Sequence, residues 1–123
     1  MSLTILGIDI AKVSFQATLL QGSKQYNRTF RNQASGFAQL DKWLGKHRPE
    51  QLHACLEATG RYWEELAEHL YQAGHTVSVV NPARIHNYAK SKLVRNKTDK
   101  LDARLIADFC ATQQPAPWTP PPA

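Results

Sequence analysis

The chain has 123 residues and a formal charge of +5, from 15 Lys and Arg against 10 Asp and Glu, with 42% apolar and 20% charged residues. That length allows one domain around one core, and the composition excludes a chain disordered throughout. No apolar run reaches the roughly 18 residues of a membrane span, Met1-Ser2-Leu3-Thr4 does not begin a secretory signal, and Cys55 and Cys110 read as small core residues in a reducing cytoplasm.

Residues 3–10 (LTILGIDI) are apolar and β-branched, which predicts a buried strand. Partial alternation over 13–20 and clear alternation over 25–30, joined through Gly22-Ser23, predict two more strands in an antiparallel meander. Ser35 is the expected N-cap of a helix carrying Phe37, Leu40, Trp43 and Leu44 on one stripe. A short strand over 52–56 ends at Glu57. A helix over 62–73 follows, with Trp63, Leu66, Ala67 and Leu70 on its apolar stripe and Gly74 as its stop. Residues 76–80 (TVSVV) form a strand, 83–93 a helical or irregular stretch, and a final helix starts at Thr98 or Asp99 with Leu101, Leu105, Ile106 and Phe109 facing a core. From Gln113 on, five prolines in eleven residues forbid regular structure and imply an extended linker, so the expected domain is 1–112 and the linker 113–123.

Three strands followed by alternating helices and strands imply an α/β fold, a mixed sheet of about five strands with helices on its faces. Ribonuclease H-like nucleases and actin-like ATPases share that order. The actin-like reading needs a Gly-rich turn after the first strand's Asp, and here Ala11-Lys12-Val13 stands instead.

Four carboxylates carry the chemistry. Asp9 lies in an otherwise apolar strand, where a buried charge needs a partner, a hydrogen bond or a metal; the alternative is a cap on the turn at Ala11. Glu57 ends a second apolar strand, its alternative being an acid at the start of the following helix. Asp99 and Asp102 are three apart at the start of the last helix, either as ligands on one face or as N-cap and third helical residue. Should the first and fourth strands be neighbours with the last helix across their ends, all four acids meet at one sheet edge. Hard oxygen ligands of that kind suit Mg2+ or Mn2+.

The segments GIDIAK around Asp9, LEATGRYW around Glu57, VVNPARIHNYAKS, and NKTDKLDARLIA around Asp99 and Asp102 resemble the DEDD-type insertion-sequence transposases, which include the Piv-like DNA invertases. The resemblance covers residues 3 to about 111. It implies a ribonuclease H-like domain of the Holliday-junction-resolvase kind, with Asp9, Glu57, Asp99 and Asp102 as catalytic metal ligands for cleavage and exchange of DNA strands. It also implies a structured guide RNA as partner, a homo-oligomer for the full-length protein, and a further domain carrying a catalytic serine. A fragment without that domain is expected to bind but not to recombine.

Basic residues crowd beside the last acids. Lys90, Lys92, Arg95, Lys97, Lys100 and Arg104, with Arg61 after Glu57, are the candidate nucleic-acid contacts, against the plainer reading of a solvated helix face. A non-catalytic nucleic-acid-binding module, its acids serving as caps, is the alternative function. Five histidines show no zinc-ligand spacing and read mostly as surface residues, and Trp118, alone among prolines, as an aromatic that docks on a partner.

Overall fold

The first three expected strands form β1 (Leu3–Ile10), β2 (Ser14–Gln21) and β3 (Lys24–Arg31) in the computed structural model, which describes residues 3–47, 49–91 and 102–122. They are an antiparallel meander, and Gly22, at φ +61°, makes the tight turn between β2 and β3 in a conformation a Cβ disfavours. After α1 (Ala34–His47), strand β4 (Gln51–Glu57) adds to β1 in parallel. After α2 (Glu64–Gln72), β5 (Thr76–Val80) adds in parallel to β4. The sheet order is therefore β3-β2-β1-β4-β5, and α3 (Pro82–Ser91) and α4 (Ala103–Gln113) follow.

Alternation along the strands splits the core into two layers. Leu6, Ile8, Phe15, Leu19, Ala54 and Leu56 pack on one face with Phe37, Leu40, Trp43 and Leu44 of α1 and Leu66 and Leu70 of α2. Ile5, Cys55 and Val80 pack on the other with Ile85 and Tyr88 of α3 and Ile106, Phe109 and Cys110 of α4. The two C-terminal helices are tied by the Tyr88 hydroxyl, which donates to the Asp108 carboxylate at 2.6 Å.

Three local expectations change. Ser35 is not the N-cap of α1: the helix begins at Ala34, the Phe37 N–H bonds the Gln33 carbonyl at 3.0 Å, and Ser35 falls inside the first turn. The final helix starts at Ala103 rather than at Thr98 or Asp99, because Asp102 has an extended backbone (φ −116°, ψ 172°) that no helix runs through. Asp99 and Leu101 lie outside the described residues. The proline-rich tail is extended, yet it lies along β5: the Trp118 N–H bonds the Val77 carbonyl at 2.6 Å, and the Ser78 hydroxyl bonds the Pro115 and Ala116 carbonyls. Trp118 thus docks on its own chain, edge-on to Trp63 and Tyr71 at 5.9 and 6.3 Å between ring centroids. Prolines leave those carbonyls without intrasegment donors; the Ser78 side chain supplies one, and the edge strand β5 accepts the Trp118 N–H through Val77.

Candidate active site

Asp9 and Glu57 leave neighbouring parallel strands at the same end. The β1–β4 register pairs Gly7 with Cys55 and Ile8 with Leu56, so the two acids occupy the next position on each strand. Both alternate with residues of the second core layer, Ile5 on β1 and Cys55 on β4, which puts them on the face covered by α4. Both are half-buried. Their location outside the carboxyl ends of parallel strands is where open α/β sheets place ligands.

The third acid arrives with α4. That helix crosses β1 at Gly7 so closely that a Cβ there would lie 2.3 Å from the Ala103 carbonyl oxygen and from the Ala107 nitrogen. Only a glycine permits this approach, two residues before Asp9. Asp102 is the helix N-cap, its Oδ1 accepting the Leu105 N–H at 2.8 Å. It lines an open trough of about 410 Å³ together with Gln16, which is the register partner of Asp9 on β2. Asp9 and Glu57 are therefore neighbours on the face covered by α4, and Asp102 stands at the head of that helix; the three carboxylates do not close within 4.8 Å of one another.

The alternatives for these acids fare differently. The turn at Ala11 is closed by its own backbone, its N–H bonding the Ser14 carbonyl at 2.9 Å. Glu57 is not at a helix start, since α2 begins at Glu64; it accepts a hydrogen bond from the Thr59 hydroxyl. Asp102 does cap α4, so a cap and a ligand role coincide there. Its expected position as the third helical residue does not hold.

Beyond the N-terminus of α4, the β2–β3 part of this face lies open and polar. Thr18 donates to Asn27 Oδ1 at 2.8 Å, Gln25 donates to the same oxygen at 3.3 Å, and the Arg104 guanidinium donates to Gln25 Oε1. Arg104, Lys90 at the end of α3 and Arg61 in the turn after β4 are exposed. Lys92, Arg95, Lys97 and Lys100 lie outside the described residues.

Sequence reading missed one grouping. His53, expected among the surface histidines, is only 8% exposed, and it meets Cys55 and Cys110, both fully buried, with their ligand atoms within 4.8 Å of one another. Alternation along β4 turns His53, Cys55 and Glu57 to one face, and α4 lays Cys110 over them. The hydrogen bond from Cys55 holds the Cys110 thiol down at about 6, against the opposing effect of burial, whereas the same contact and burial push the Cys55 thiol up.

The fold has solved counterparts. Thermus thermophilus RuvC superposes with a TM-score of 0.61 at 14% identity over 93% of this chain and 98% of its own. T. thermophilus RuvC in complex with a Holliday junction substrate gives 0.58 at 16% identity over 94% and 98%. The fold is thus ribonuclease H-like, as in RuvC.

The chain belongs to the IS110-type DEDD transposases: that family's profile, described as a transposase, matches residues 6–123. The pilin gene-inverting proteins of Moraxella lacunata and Moraxella bovis are each 46% identical to it over 122 residues, 98% of this chain and 38% of theirs. The transposase for insertion sequence element IS1328 of Yersinia enterocolitica is 28% identical over 115 residues, 94% of this chain and 31% of that protein. The chain therefore spans about a third of the length of these relatives.

Proposed function

We propose that this domain is the metal-dependent DNA-cleaving half of a transposase or recombinase, with Asp9, Glu57, Asp99 and Asp102 as its ligand set. The observation that carries this reading is the placement of Asp9 and Glu57 side by side at the carboxyl ends of the adjacent parallel strands β1 and β4, with Asp102 at the head of α4, the helix over the same face. A donor set made only of carboxylate oxygens fits Mg2+ or Mn2+ and disfavours soft ions. Such an ion, when bound, neutralises phosphate charge and activates a nucleophile for phosphodiester chemistry.

The chain's own groups supply the positioning. The Leu105 N–H fixes one Asp102 oxygen, and a carboxylate has about four lone-pair sites, so capping leaves capacity for a cation. The open trough gives a DNA strand a path that ends at Asp102. Its amides and hydroxyls suit sugar and base edges, and Arg104 at its rim suits phosphate. Arg61 and Lys90, with Lys92, Arg95, Lys97 and Lys100, extend the same attraction. A structured guide RNA and further copies of the protein complete the proposed assembly, and strand exchange draws on a serine-bearing domain of the longer protein.

The test is Mn2+ titration of this chain followed by calorimetry and thermal melting. Wild type should bind and gain about 2.7 kcal/mol of stability at a hundredfold excess over Kd. Asp9→Asn and Glu57→Gln should melt no lower than wild type without metal, having lost a like-charge neighbour, and should lose the response to Mn2+. Variants that keep the full response remove these acids from the site. Salt-sensitive DNA binding that ignores the metal in every variant would favour the non-catalytic module instead.

A further inference from the structure

We propose that His53, Cys55 and Cys110 form a second cation site, selective for a thiophilic ion such as Zn2+ and separate from the carboxylates. Their ligand atoms lie within 4.8 Å of one another, where a tetrahedral site with ~2.3 Å metal–sulfur bonds sets its sulfurs ~3.8 Å apart, so closure needs a movement of at most about 1 Å. All three are buried between the sheet and α4.

The surroundings prepare the imidazole for ligation. The Ser78 hydroxyl has one proton, and it faces the Pro115 and Ala116 carbonyl oxygens at 3.0 and 2.9 Å, which can only accept. With its proton given to those carbonyls, Ser78 accepts from His53 Nε2–H across 2.7 Å, and in that tautomer Nδ1 carries the lone pair. Ligating histidines are oriented in this way, one nitrogen bonded to an acceptor and the other basic.

The donor chemistry separates the two sites. One nitrogen and two sulfurs select Zn2+ or a similar soft ion, whereas Glu57, two residues further along the same face of β4, belongs to an all-oxygen set. The sites also differ in access: His53, Cys55 and Cys110 are buried, whereas Asp9 and Glu57 are half-buried and Asp102 lines an open trough. An ion held by His53, Cys55 and Cys110 would clamp α4 to β4 and so set where the N-cap Asp102 is presented. The sulfur site stands whether or not the carboxylates bind metal.

The experiment uses Co2+ and Zn2+ on the reduced wild-type chain. Co2+ should bind one per chain with an intense sulfur-to-metal charge-transfer band, unaffected by excess Mg2+ and abolished by one equivalent of Zn2+. Cys110→Ser and Cys55→Ala should lose the band and the Zn2+-induced rise in melting temperature. Asp9→Asn should keep both, which separates failure here from failure of the carboxylate reading. Because the wild type alone gives the decisive spectrum, a poorly folding cysteine variant does not blur the result. Absence of the charge-transfer band in folded, reduced wild type, or a band that survives both cysteine substitutions, overturns the site.

Discussion

A polar residue interrupting an apolar strand is readable from one dimension, and Asp9 and Glu57 announced themselves that way. His53 did not. Its neighbours in space, Cys110 and Ser78, are distant in sequence, and only alternation on β4 combined with the path of α4 joins them. His75 illustrates how burial acts on a single group. Desolvation lowers its pKa below the ordinary 6.5, and His69 adds to this while Asp41 opposes it. The unfolded chain thus takes up the proton first as pH falls. This contribution to stability is full above about pH 6.5 and declines below it. His75→Gln should flatten the fall in melting temperature between pH 7 and pH 5; an unchanged slope would show that His75 does not govern it.

Strands and helices emerged at nearly their expected positions, with β1 and β5 matching residue for residue. Local apolar periodicity is strong there and tertiary contacts reinforce it. The start of α4 was placed too early because Asp99 and Asp102 both satisfy capping rules, and the extended backbone of Asp102 decides between them. Gly7 is the residue on which the element arrangement turns. Gly7→Ala forces α4 away from β1 and should cost about 1–3 kcal/mol, with Gly7→Val costing more. Both should also weaken the Mn2+ response by displacing Asp102. Gly45→Ala on the exposed face of α1, where an added Cβ meets nothing within 4 Å, is the control and should gain up to about 1 kcal/mol. Equal melting temperatures for the Gly7 and Gly45 variants would contradict the close crossing.

Across the molecule, charge and topology act together. The +5 excess suggested a polyanion as partner without locating it, and the described cations Arg61, Lys90 and Arg104 are exposed. Each phosphate contact adds about −0.9 to the slope of log K against log salt. Reversing Lys90, Lys92, Arg95 and Lys97 to Glu should therefore abolish DNA binding at moderate salt, measured by fluorescence anisotropy, and wild-type binding should weaken steeply as salt rises. Salt-independent binding would remove this stretch from the interface. Periodicity, turn residues and isolated acids were legible in the chain because each is local, and they sufficed for a mixed sheet and a family resemblance. Folding added the pairing of β1 with β4, the descent of α4 onto Gly7, the tail laid along β5 and the meeting of His53 with both cysteines. Each of these joins residues far apart in the chain, where no local preference acts and packing of the whole settles which surfaces touch.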